Sequence, residues 1–87
     1  MPALALVTPK ELKEILEADG YTVIHEDAYW WYFARGTTGV PILVPKEPGE
    51  QGFVSMEYMS DILFKAQISH YKLQMIRDRL KGKGPVQ

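Results

Sequence analysis

The chain contains no cysteine among its 87 residues. That excludes disulfides, thiolate metal sites and a cysteine nucleophile, and leaves packing or self-association to supply stability. Histidine is scarce. His25 and His70 are the only two, and they do not have the His-x-x-x-His spacing of a metal site. No glycine-rich loop followed by lysine offers a phosphate cradle, and no Ser, His and Asp arrangement points to nucleophilic catalysis. Glu14, Glu17, Asp19, Glu26 and Asp27 lie near one another in sequence and read as a solvated acidic face rather than metal ligands. No metal or cofactor is therefore expected. Long apolar runs are missing too, since nothing approaches the ~18 residues a membrane span needs. "MPALALV" is short and has no basic leader, so the chain reads as a soluble cytoplasmic protein with no membrane partner.

An excess of one charge is absent from the whole, at a formal net −1, but not from the parts. Residues 1–61 carry four basic and ten acidic side chains, net −6, and residues 62–87 carry six basic and one acidic, net +5. Lys65, Lys72, Arg77, Arg79 and Lys81 form a candidate nucleic-acid set, with Lys83 beyond them. Cations near a helix C-terminus also complement the helix dipole, and a basic arm can dock on an acidic body. These plainer roles weigh more.

A hydrophobic content of 46% in 87 residues is enough for one small domain with a thin core. "TPKELKEILEADG" predicts a first helix over about Pro9 to Asp19. Thr8 is the N-cap, Pro9 takes the first helical position, Glu11 completes a capping box and Gly20 is the left-handed stop. Leu12, Ile15 and Leu16 make its apolar stripe. The period then changes to two. "YTVIHE", the aromatic row Tyr29 to Phe33 and "VPILVP" predict three short strands joined as an antiparallel meander, with Pro41 favouring an edge for the third. "KEPGEQG" is a loop.

From Ser55, a reasonable N-cap, the pattern is helical again. Met59, Ile62, Ala66, Leu73, Ile76 and Leu80 form one seam, and Phe64, Ile68, Tyr71 and Met75 form a second. Either a single helix of about 24 residues or two helices broken near Gln67 to Ser69 fits this spacing. If the helix is continuous, its far half needs something to pack on, and a second copy of the chain would serve. The expected fold class is α+β, in the order α-β-β-β-α: a three-stranded antiparallel sheet packed on helices. Residues 1–7 form an N-terminal arm, 8–80 a single domain with a helical extension over 69–80, and 81–87 a tail.

In the order and spacing of "EADGY", the strand after the glycine, "VPILVP" and "DILFKAQIS", residues 8 to 69 resemble the HicA (YcfA-like) family of small toxins. The resemblance implies a fold related to the double-stranded-RNA-binding domain, messenger-RNA cleavage as the family activity and an antitoxin as partner. "DILFKAQIS" looks like the family's Ile-Leu-x-x-Ala-Gly-Leu/Ile ending. The family's catalytic histidine opens the second strand, and here that position falls on Trp30 counting from Gly20, or on Trp31 counting back from Pro45. Ala28 and Tyr29 replace the glycine that usually precedes it. An indole cannot gain and lose a proton near neutral pH, so it cannot be the general acid or base. His25, beside Glu26 and Asp27, is the one substitute candidate, and His70 reads as a polar helix position.

These residues lead to a non-catalytic, HicA-like binding module, a homodimer through its C-terminal helix and aromatic sheet face, open to RNA or an antitoxin-type protein. Tyr29, Trp31, Phe33, Tyr71, Met75, Ile76 and Leu80 are the expected interface residues. The alternatives are a divergent endoribonuclease using His25 and an accessory or inhibitor protein of a phage or mobile element. Base stacking on the sheet aromatics is a less frequent role for such residues than core or protein interface.

Overall fold

A capping box starts the first helix as its sequence dictates. In the computed structural model, which describes residues 6–36, 40–49 and 51–82, the Thr8 hydroxyl accepts from the Glu11 N–H at 3.1 Å and the Thr8 N–H donates to the Glu11 carboxylate at 2.9 Å. The resulting helix, α1, spans Pro9–Ala18 and buries Leu12, Ile15 and Leu16. Its end is a Schellman turn: the Tyr21 N–H reaches the Leu16 carbonyl at 3.0 Å while Gly20 takes φ +99°. Strands β1 (Thr22–Glu26), β2 (Trp30–Ala34) and β3 (Ile42–Pro45) then form an antiparallel sheet in the order β1-β2-β3. β3 is an edge, as Pro41 requires.

The register settles which aromatics are core. Phe33 lies opposite Val23 and Ile42, Trp31 lies opposite Val44, and this side of the sheet meets the helices. Phe33 is fully buried and Trp31 half-buried against the core, so Phe33 cannot be an interface residue, contrary to expectation. Trp30 and Tyr32 project from the other side by alternation.

The C-terminal segment is two helices, not one. Helix α2 spans Met56–Ala66, capped by Ser55. It stops where the Ile68 N–H donates to the Leu63 carbonyl at 3.0 Å and Gln67 turns left-handed at φ 59°. Helix α3 (His70–Lys81), capped by Ser69, folds back against α1 and puts Leu73 and Ile76 into the same core as Leu12 and Phe33. It is the C-terminal helix expected after the α-β-β-β-α order, packed on the body of the domain. Ile76 is buried, which corrects its expected interface role to core, and Leu80 is partly buried at the rim of that core. Val7 is also core, and its carbonyl accepts from the Val54 N–H at 2.8 Å, so it does not belong to an arm. Lys81 closes α3 rather than beginning a tail. Gly82 is the C-cap of α3, and residues 1–5 and 83–87 of the expected arm and tail lie outside the described residues.

A non-glycine residue at the left-handed position costs about 1 kcal/mol, because its Cβ crowds the following carbonyl oxygen. Gln67→Gly should recover that amount, seen as a higher urea midpoint at unchanged slope. A lower midpoint would mean that the Gln67 side chain makes a contact outweighing its backbone strain.

A candidate protein-binding groove at Trp30

The hairpin between β1 and β2 is fixed by one carboxylate. Asp27 Oδ1 accepts from the backbone N–H groups of Tyr29 and Trp30 at 2.9 and 2.8 Å, and Oδ2 accepts from the Tyr32 hydroxyl at 3.0 Å. The two backbone donors, with the phenol behind them, hold the Asp27 carboxyl below the usual aspartate range. The same bond to Asp27 raises the Tyr32 phenol above its ordinary value. Beside them, Lys46 Nζ lies 2.6 Å from Glu26 and, chiefly through that hydrogen bond, lowers the Glu26 carboxyl.

Because the folded pKa of Asp27 is depressed, its contribution to stability is complete above about pH 4, the ordinary aspartate value. That contribution is lost as the pH falls through the folded value. Asp27→Asn should therefore flatten the acid limb of the stability profile. It should also bring one tyrosine titration down toward the ordinary phenol value. An unchanged tyrosine titration would show that the Tyr32 to Asp27 bond does not hold in solution.

His25 does not approach either tryptophan. The pairing slips between Val23 and His25, leaving Ile24 as an extra residue, and this bulge sends His25 to the outer side of the sheet opposite Tyr32. Its ring meets Tyr32 edge-on at 4.8 Å and is exposed. The described residues hold no group of three or more His, Asp or Glu arranged to take a metal ion.

Trp30 and Trp31 have separate surroundings. Trp31 sits on the helix side, with the ammonium groups of Lys13 and Lys46 each 5.8 Å from its ring centre. It packs half-buried against the core. Trp30 meets Tyr58 of α2 edge-on at 5.7 Å. Together they form the walls of an open groove of about 360 Å³, extended by the exposed ring of Tyr29 and floored by Pro45 and Pro48. Among the described residues, Glu47 is the only charged side chain lining it. Tyr58 and the loop around Pro48 were not singled out by the sequence. Tyr58 lies outside both apolar seams read from the sequence, and the docking of the first turn of α2 beside Pro45 brings it to Trp30.

The basic set is largely spent within the chain. Lys72 pairs with Asp19 at 3.0 Å, Lys65 with Asp61 at 3.1 Å and Lys81 with Glu11 at 3.8 Å, while Arg77 donates to the Leu6 carbonyl at 3.3 Å. Of the five candidates only Arg79 has no such partner among the described residues. Tyr71 and Met75 remain exposed, as does Phe64 at 82%. Among the described residues no helix is long and apolar enough to cross a membrane. No protein-family model, curated protein or solved structure matches the chain.

Proposed function

We propose that this protein is a non-catalytic binding module of HicA-like design that receives a protein partner in the groove between Trp30 and Tyr58. The observation that carries the reading is the groove itself: an indole stands where the resemblance calls for the catalytic histidine, and it faces a tyrosine and two prolines rather than an acid-base pair. Tyrosine and tryptophan suit such a surface, because each buries a large apolar ring and keeps a polar tip. The left-handed Gln67 supports the HicA-like design, since it stands at the glycine of the family's helix ending. Nucleic acid is a poorer occupant. Affinity for a phosphate backbone comes from cations free to neutralise it, and here Lys72, Lys81 and Lys65 already face carboxylates. Self-association through α3 has lost Ile76 to the protein's own core and retains Tyr71, Met75 and the partly buried Leu80.

Purified protein should leave single-stranded and structured RNA intact, and His25→Ala should behave identically. It should also bind RNA no more tightly at low than at physiological salt. Growth arrest on expression that His25→Ala relieves would replace this reading with a ribonuclease. Salt-sensitive RNA binding would replace it with a nucleic-acid module.

A further inference from the structure

The turn that ends α1 holds a reactive pair of residues as well as a fold signal. The chain has no asparagine, and of its four aspartates only Asp19 is followed by glycine. In an Asp-Gly pair the glycine nitrogen can attack the aspartate Cγ, because no side chain on the glycine shields it. The nitrogen gives up its proton, the carboxyl gives up a hydroxyl, and water leaves as a five-membered succinimide closes. Water then opens the ring at either carbonyl, restoring aspartate or leaving isoaspartate, in which the main chain runs through the former side chain. No reagent other than water takes part.

The native structure opposes this reaction at each of its atoms. A flat ring needs the Gly20 nitrogen to eclipse the Asp19 Cβ, whereas at ψ 6° it nearly eclipses the Asp19 nitrogen instead. The Gly20 N–H, the nucleophile, donates to the Glu17 carbonyl at 3.1 Å. Each oxygen of the carboxylate faces a cation, Oδ2 at 2.7 Å from Arg35 Nη2 and Oδ1 at 3.0 Å from Lys72 Nζ, so the carboxyl cannot turn its carbon toward the chain. The side chain is only 10% exposed, which also keeps water from it. These restraints do not come from α1 alone. Lys72 belongs to α3 and Arg35 follows β2, so the carboxylate is freed only when those elements lift away.

We propose that Asp19–Gly20 is a latent site of isoaspartate formation, kept closed by Arg35 and by the docking of α3, so that the modification records openings of the contact between α1 and α3. An ordinary local opening reverses. This one leaves a permanent mark, because the extra main-chain carbon moves the carboxylate away from both cations and disrupts the turn in which the Tyr21 N–H reaches the Leu16 carbonyl. It holds whatever occupies the groove at Trp30.

The test incubates the full chain at neutral pH and body temperature, folded or unfolded in guanidinium chloride, and locates isoaspartate by peptide mass spectrometry. Unfolded chain should convert at Asp19 at least about ten-fold faster than folded chain. Asp27, Asp61 and Asp78 should lag behind it even when unfolded, since Ala28, Ile62 and Arg79 shield the nitrogens that follow them. Lys72→Ala, shown to be folded by circular dichroism, should convert about five-fold or more faster than wild type, in proportion to its open population. Molar salt, which weakens both ion pairs without any substitution, should speed the folded wild type in the same direction. The converted chain, separated and refolded, should have a lower urea midpoint than its parent. Equal rates in folded and unfolded chain, or no isoaspartate at position 19 in the unfolded chain, overturn the site. Rates that neither Lys72→Ala nor molar salt changes overturn the closure by α3, and the proposal with it.

Discussion

Phe33→Ala is expected to remove about 3–5 kcal/mol of stability, the cost of deleting a fully buried aromatic side chain and leaving part of its volume empty. A domain of 87 residues has in total about 4–13 kcal/mol to lose, at roughly 0.05–0.15 kcal/mol per residue. The variant should thus melt lower by roughly 15 °C or more, or fail to fold. Tyr32→Ala, one residue away on the opposite side of β2, should cost roughly 1 kcal/mol, since what it loses is a cross-strand contact and an exposed hydrogen bond. Urea titration of the two variants measures the difference directly. Equal losses would mean that the sheet is covered on both sides and that the assignment of Phe33 to the core side is wrong.

The contrast between neighbours in one aromatic row shows what the sequence could and could not reveal. Local signals carried through wherever the cause was local. The Thr8 and Glu11 capping box, the Gly20 stop, the Ser55 cap and the edge position forced by Pro41 are each a matter of a few bonds within a few residues. The order α-β-β-β-α followed from them. Alternation along Tyr29 to Phe33 also held, but it could not say which side was inside, because both sides are aromatic. That choice is made by Val23, Ile42 and Val44, which are apolar on one side only in the register observed.

Two features were not decided by local signals. The bulge at Ile24 breaks the two-residue period within "TVIHE", and nothing in five β-favouring residues marks it. It decides where His25 points. The second is the break at Gln67. Glutamine is a good helix former, and its left-handed turn is imposed from further along the chain, where Ser69 caps a new helix that can bury Leu73 and Ile76 at home. The groove was visible only in half: Tyr29 and Trp30 belong to the row, whereas Tyr58 is about 28 positions away and arrives by tertiary packing alone.

Asp19→Ala is the second substitution expected to have a large effect, though nothing about a charged residue at a helix end announces it. Its carboxylate is only 10% exposed and bridges two cations from different elements, with Arg35 Nη2 at 2.7 Å and Lys72 Nζ at 3.0 Å. Arg35 comes directly after β2, and Lys72 stands in the first turn of α3. The guanidinium also donates to the Asp19 carbonyl and lies 4.5 Å from the Tyr21 ring, whose hydroxyl donates to the Ala66 carbonyl at the end of α2. One side chain therefore ties the end of α1 to the sheet and to the helix that the chain folds back. Both cations are about half exposed, so water and salt take up part of what the carboxylate supplied, and the loss should be about 1–2 kcal/mol rather than the 3–5 kcal/mol of a fully buried pair. The difference between wild type and variant should shrink in molar salt, where exposed charges are screened over about 3 Å. Combining Asp19→Ala with Lys72→Ala should cost less than the sum of the two by about 0.5–1 kcal/mol, because either change alone removes the same bond. Strict additivity in that cycle would show that the Asp19 to Lys72 bond plays no part in holding α3 to the domain.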